Sequence, residues 1–455
     1  MKNELKKIPW AYRWFKQYIK FMTHVVYYKD TYVLGAENIP ADGTPVLIAS
    51  DHQNSFSDAL AILMSIWDRV VHFIVRGDVF KLHPLADKFL RSIGLLPCYR
   101  LNFDGEESLG GNEATFADAA AELLAGDTVV IFPEGGHQYK HWLGRFTYGY
   151  TTLAFQAARQ GNFEKEIFIL PACNHYSDYY GMRTQMLVKF GTPISLQPYY
   201  ELFKTKPRTA MRQVSALVRA QISSLMLDIR DLDNYRVIDE IRQGSYGSAY
   251  AASLGLDPAN LPEKLESDKQ LVAALAKAKE ESPEAVNAIY SLGKEVYDEL
   301  KERGLKEKNL NNPPTVFSVL GTLLALLVLL PVAVFAIWPA IPCWFIPLAF
   351  TKRVYKKIGD PMFQSTFAII LNVLFLYPIF GLITLIVTWV NANVVSAVIY
   401  VLLFPALCLF EWAYCRWIGN FVRGCRYLFA KEKAGKLNEK KEKLFAALDA
   451  VLTRK

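Results

Sequence analysis

The chain has no paired-cysteine motif. Its six cysteines, at positions 98, 173, 343, 408, 415 and 425, include no Cys-x-x-Cys. No zinc ribbon or disulfide framework is readable, which fits a reducing compartment. No His-Glu-x-x-His occurs, and His137 and His141 lie among Tyr139 and Trp142, a packing environment. We expect no metal. Lys and Arg are not gathered into one soluble patch with aromatic platforms, so nucleic acid is not an expected partner. The first apolar segment lacks an uninterrupted h-region and a small-residue cleavage site, and is not read as a signal peptide.

Apolar residues are plentiful. A hydrophobic fraction of 52% in 455 residues excludes a disordered chain and leaves room for more than one domain. The net charge of +7 suits an anionic surface or substrate. Residues 1–31 hold an amphipathic helix, with Ile8, Trp14, Phe15, Tyr18, Ile19, Met22, Val25 and Val26 at helical spacing. Arg13, Lys16, Gln17, Lys20 and His24 are expected on its other face, the pattern of a helix lying in a membrane interface.

Residues 32–226 alternate strand-like and helix-like runs. This predicts an α/β layered domain with a mixed, largely parallel sheet. Strands are expected at 45–49, 70–75, 95–99, 128–132, 167–172 and 185–190, and helices at 59–67, 85–92, 113–124, 150–158 and 208–226. Residues 227–312 are charged and Ala-rich, and are read as a helical insertion acting as a solvated spacer. Residues 313–412 carry two long apolar stretches, 315–350 and 365–412. The second holds two spans with a turn at Asn391-Ala392-Asn393; the first, broken by Pro331, Pro339 and Pro342, holds two short spans or a re-entrant hairpin. Lys352, Arg353, Lys356 and Lys357 lie between the stretches, and Arg416, Arg423, Arg426 and Lys431 follow them. By the positive-inside rule this predicts two transmembrane or re-entrant hairpins entered from the cytoplasm. Residues 413–455 then form a basic cytoplasmic helix.

Chemistry is concentrated in three strand-end loops. His52 follows the first strand, and Asp58 comes after five intervening residues, where a helix begins and where Ser57 or Asp58 is placed to cap it. An imidazole with a carboxylate is a general-base unit, the carboxylate fixing the tautomer. Asp51 adds a second carboxylate whose charge would raise the His52 pKa. Arg100 ends a later strand and offers a planar fork for phosphate. Phe132-Pro-Glu-Gly-Gly136 ends another, where Gly135 and Gly136 let backbone N–H groups approach an anion. Glu134 is a candidate acceptor for a substrate hydroxyl or an orienter of Arg100, and Lys140 and Arg145 are further candidate phosphate contacts. Cys98 and Cys173 fall on strands and are read as buried thiols. A phosphate pocket, a His/Asp base and a membrane anchor together suggest a hydroxyl on a small phosphate ester, acylated at a lipid surface.

The ordered blocks His52…Asp58, Gly94…Arg100, Phe132–Gly135 and Ile169-Leu-Pro-Ala172 resemble the glycerolipid acyltransferases, which acylate glycerol 3-phosphate and lysophosphatidate. The commonest form of that family has four residues between His and Asp. The five found here, with Phe-Pro-Glu-Gly-Gly and C-terminal hairpins, resemble the yeast-type glycerol-3-phosphate/dihydroxyacetone-phosphate acyltransferases. Gly136-His137 and Tyr148-Gly149 depart from the family's usual Thr-Arg and Lys-Gly. The resemblance implies direct transfer from an acyl thioester, acyl-CoA or acyl-ACP, with no cofactor. His52 and Asp58 would be catalytic, and Arg100, Glu134, Gly135 and Gly136 would hold the phosphate. Its implied place is phospholipid synthesis, multi-pass in the membrane with the catalytic domain on the cytoplasmic face. Lysophosphatidate is the alternative acceptor. An inactive membrane-anchored lipid-binding scaffold is the alternative of another class.

Overall fold

The structure, a computed structural model, describes residues 10–67, 69–81, 83–98, 110–136, 140–358, 366 and 368–452. Two compact units emerge: residues 1–227 with 358–366, and residues 228–357 with 367–455.

The first unit is built on one sheet. Its elements run α1 (Trp10–Phe21), β1 (Tyr28–Leu34), β2 (Val46–Ser50), α2 (Phe56–Ser65), β3 (Val71–Arg76), α3 (Pro84–Ser92), β4 (Leu95–Cys98), α4 (Gly110–Leu124), β5 (Thr128–Ile131), α5 (Gly149–Gln160), β6 (Phe168–Tyr176), β7 (Thr184–Phe190), β8 (Ile194–Ser195), α6 (Tyr200–Thr205) and α7 (Pro207–Leu225). The sheet order is β1-β7-β6-β2-β5-β3-β4, with β8 on β6. All strand pairs are parallel except β6 with β7 and β6 with β8. β2 sits centrally, in register with β5 (Val46↔Thr128) and β6 (Val46↔Phe168). A strand covered on both faces reads as a continuous apolar run, and Val46–Ala49 are all fully buried. Helices α4, α5 and α7 pack Leu123, Phe155, Val214 and Val218 into one core with Leu47 and Val129.

The expected strands and helices recur here within a few residues of their predicted ends. Two strands went unpredicted. β1 carries Lys29, Asp30 and Thr31 in an edge strand and has too little apolar alternation to be seen. β8 is only two residues long. β6 runs to Tyr176, four residues beyond its expected end, because its second half pairs antiparallel with β7 (Ala172↔Phe190 to Tyr176↔Met186). Tyr99 and the first residues of the N-terminal segment lie outside the described residues.

The second unit is helical. α8 (Tyr235–Gln243), α9 (Ser245–Ser253), α10 (Leu261–Glu281), α11 (Pro283–Glu302) and α12 (Glu307–Asn311) precede α13 (Val316–Ala340) and α14 (Ile346–Ile358). α15 (Tyr377–Asn391), α16 (Val394–Phe429) and α17 (Lys431–Leu452) complete it. Residues 235–302 are not a solvated spacer. Leu265, Leu271, Val286 and Val296 are buried, as are Leu437, Leu444 and Leu448 of α17, which packs on α11. A buried Arg242 pairs there with Asp239 and Asp268, at 2.6 and 2.9 Å.

Among the described residues, three helices are long and apolar enough to cross a membrane: Val316–Arg353, Ile370–Asn391 and Val394–Phe429. α15 and α16 are separated only by Ala392 and Asn393, whose side chain caps Ser396 N at 2.8 Å. The first stretch stays helical through its prolines, with a π-helical turn at Ile341–Phe345. Its partners along α16 step from Gly424 for Val319, to Tyr414 for Leu326, to Tyr400 for Phe335, and then return to Cys408 for Trp344. The helix therefore bends back at the Pro339–Pro342 region, where missing N–H donors and a π-turn weaken the ladder.

Candidate active site

The loop from β2 to α2 lies at the carboxyl end of the parallel strands, the edge where open α/β sheets bind ligands. Ser55, just before α2, holds φ +47° and ψ −123°, a strained conformation for a residue with a side chain. It makes no side-chain cap to the helix. Asp58, in the first turn of α2, reaches back instead. Its Oδ2 accepts the Gln53 and Asn54 N–H groups at 2.9 and 2.7 Å, and lies 2.9 Å from His52 Nδ1. Its Oδ1 accepts the Tyr176 hydroxyl at 2.8 Å. The carboxylate is fully buried. Four donors and the positive end of α2 favour its charged form.

An Nδ1–H that donates to Asp58 puts the lone pair of the neutral imidazole on Nε2 of His52. The His52 side chain is 17% exposed, enough to meet a substrate. Its ring stacks on Phe132 at 4.1 Å and 17°. Tyr176 is also fully buried, and burial together with the Asp58 charge pushes its phenol well above the ordinary value, so it stays a donor. Tyr176 was not among the expected site residues: it lies 118 residues from Asp58, brought alongside by the β2–β6 pairing.

Glu134 accepts two backbone hydrogen bonds. Its Oε1 accepts the His52 N–H at 3.0 Å and its Oε2 accepts the Gly144 N–H at 2.7 Å. It is a clamp between two loops. Burial raises its pKa to about 7, against the lowering effect of those two N–H donors. Arg219 of α7 supports the second loop through the Gly144 and Leu143 carbonyls, and Gln53 Nε2 donates to the Trp142 carbonyl at 3.2 Å. The expectation for Gly135 also changes. Its φ of +64° closes a turn in which its N–H donates to the Phe132 carbonyl at 3.0 Å, so that group is already engaged. Open space surrounds Gly136, Lys140 is half-buried and Arg145 is exposed. Arg100 and His137 lie outside the described residues.

Asp51 is fully buried, and burial with the neighbouring Asp58 charge drives it towards its neutral form, although Asn174 N–H and Ser50 Oγ donate to it. Cys173 is buried and Cys98 half-buried.

Residues 30–175 match the acyltransferase family. That stretch of acyltransferase-type domain is about a third of the chain and contains His52, Asp58 and Glu134. No curated protein matches the chain. Among solved structures, the chain is similar to the crystal structure of the 1-acyl-sn-glycerophosphate (LPA) acyltransferase, PlsC, from Thermotoga maritima. The two share 16% identity over 47% of this chain and 78% of that one, with a TM-score of 0.33.

At the amino ends of β3 and β5, His72 Nε2 lies 3.2 Å from Asp127 Oδ2 and 3.9 Å from Glu122 Oε2. Metal binding through Nε2 would leave a proton on Nδ1, which is buried without an acceptor among the described residues. A hydrogen bond from Nε2–H to Asp127 fits better.

Two predictions follow from the carboxylates. Tyr176→Phe strips a buried oxygen of Asp58 of its donor, costing about 1–3 kcal/mol of stability. It also leaves the Asp58 carboxylate less firmly placed behind His52, so kcat falls with KM little changed; an unchanged kcat would refute the positioning role. For Glu134, a folded pKa above its unfolded value means the native state binds the extra proton between pH 4.5 and about 7. Stability is lost as pH rises through that window. Thermal unfolding of Glu134→Gln in detergent should show a shallower fall across it than the parent.

Proposed function

We propose that the chain is a membrane-bound O-acyltransferase that moves an acyl group from an acyl thioester of coenzyme A or acyl carrier protein to sn-glycerol 3-phosphate. The observation that carries this reading is the His52–Asp58 contact of 2.9 Å, between a partly exposed imidazole and a wholly buried carboxylate. Such a pair can activate a hydroxyl without a covalent acyl-enzyme or a metal.

His52 Nε2 takes the proton from the acceptor's hydroxyl as the oxygen attacks the thioester carbonyl. A tetrahedral adduct forms. Its collapse breaks the C–S bond, and the imidazolium returns the proton to the departing thiolate. Asp58 keeps its charge throughout and stabilises the imidazolium. Glu134 sets the His52 backbone. Arg100 is the candidate phosphate ligand, with Gly136, Lys140 and Arg145 as further ones. The preference for glycerol 3-phosphate rests on the five residues between His52 and Asp58. The three long apolar helices support a membrane location. The Lys and Arg that border them support a catalytic domain on the cytoplasmic face.

His52→Ala should lower the rate by about 10²–10⁴ while leaving membrane binding intact. Purified protein given an acyl thioester with labelled glycerol 3-phosphate, or with lysophosphatidate, measures this directly. Product from lysophosphatidate alone would move the acceptor, and product from neither would favour a lipid-binding scaffold.

A further inference from the structure

The second unit gathers cations at one level of α16. Arg416, Asn420 and Arg423 stand at i, i+4 and i+7 and share a face, with Arg426 one turn further on. The Asn420 side-chain oxygen accepts Arg423 Nη2 at 2.7 Å and, from α12, Lys308 Nζ at 2.8 Å. One oxygen thus draws two like charges together. Arg423 folds back over Gly419, where a Cβ would meet its Nη atoms at 3.4 and 3.5 Å. Arg426 lies on the bare backbone of Gly304 (φ +60°), in the turn from α11 to α12, where a Cβ would strike its guanidinium. Arg416 covers the Trp412 ring at 4.5 Å.

The acidic residues do not answer this charge. Of those flanking the cluster in the chain, Glu299 is paired with Arg303 and Lys440, Glu307 accepts from Ser245, and Glu432 is paired with Lys436. Among the described residues, none of Lys308, Arg416, Arg423 and Arg426 is in an ion pair. Arg423 Nε is buried and lacks an acceptor among the described residues, a cost that an incoming acceptor would remove. Partial burial and the neighbouring Arg423, Lys306 and Arg416 charges push Lys308 below its ordinary value. Cations held together against their own repulsion are arranged for an anion.

The depth of the cluster says which anion. A helix that enters at Val394 leaves the hydrocarbon core about 20 residues later, and Arg416 is the first Lys or Arg of α16. The cluster therefore stands at headgroup level, where Trp412 and the exposed Trp417 also suit the interface. The anion of that layer is lipid phosphate, whose oxygens match guanidinium forks. A phosphate monoester carries about −1.5 to −2 charge at neutral pH and answers four cations better than a diester. We propose that Lys308, Arg416, Arg423 and Arg426 form a binding site for the phosphate monoester headgroup of one lipid molecule, on the unit that holds none of the catalytic residues.

Thermal unfolding of the purified full chain in nonionic detergent tests this, with phosphatidate, phosphatidylglycerol or phosphatidylcholine titrated in. Phosphatidate should raise the melting temperature saturably, at lower concentration than the diester phosphatidylglycerol, and phosphatidylcholine should leave it unchanged. In Lys308→Gln/Arg423→Gln, and separately in Arg416→Gln/Arg426→Gln, the half-saturating phosphatidate concentration should rise about tenfold or more. Phosphatidate taken up by the catalytic unit contributes to parent and variants alike, so the difference between them belongs to the cluster. Each variant removes mutually repelling charges, so its ligand-free melting temperature should match or exceed the parent's, which separates lost binding from misfolding. Equal effects of monoester and diester, an equal effect of glycerol 3-phosphate without lipid, or phosphatidate protection unchanged in both variants would overturn the proposal. The measurement needs no turnover, so it stands or falls apart from the acyltransferase reading.

Discussion

The site depends on one buried charge. Asp58 is wholly buried, and four hydrogen-bond donors do the stabilising. They come from two parts of the fold. His52, Gln53 and Asn54 are brought by the tight loop after β2, and Tyr176 by the far end of β6. Unsatisfied, a carboxylate in this position would cost several kcal/mol or take up a proton. Its environment therefore ties the central strand order to the chemistry: β6 must lie beside β2, and must continue to Tyr176, for Oδ1 to find its phenol.

Glu134 extends the same logic one layer outward. It holds His52 by the backbone and the Gly144 loop by the other oxygen, and Arg219 braces that loop from α7. The result is that His52 is fixed from three directions: by Asp58 at Nδ1, by Glu134 at the backbone N–H, and by the Phe132 ring against the face of the imidazole. A base held this way loses little entropy in reaching a reacting hydroxyl.

Much of this was legible in the sequence. The apolar runs before each motif marked β2 and β5, and the motif order placed His52, Asp58 and Glu134 near one another. What was not legible came from tertiary pairing. Tyr176 looked like an ordinary strand residue, and Arg219 like any helix-surface cation. A carboxylate beside glycines suggests a substrate contact or an orienter of Arg100; that Glu134 also ties two loops through backbone N–H groups is not readable from its position in the chain. Gly135 misled for a related reason: a glycine that permits close approach to an anion also permits a tight turn, and here φ +64° serves the turn. On α1, hydrophobic periodicity could not say which of two apolar arcs faces inward. Tyr12 and Ile19 are buried while Trp10 and Trp14 are exposed, and Lys16, expected on the outer face, is buried 5.1 Å from the Trp67 ring centre.

The kink at Ser55 bears on loop length. The span from His52 to Asp58 is closed at both ends, by a strand on one side and by a helix on the other, and its slack is taken up in a single out-of-region residue. Loop length and catalytic distance are thus one variable. Relaxing Ser55 into an ordinary conformation would turn α2 about its axis and carry Asp58 away from the imidazole, so the spacing can drift in descent only together with the backbone angle that absorbs it.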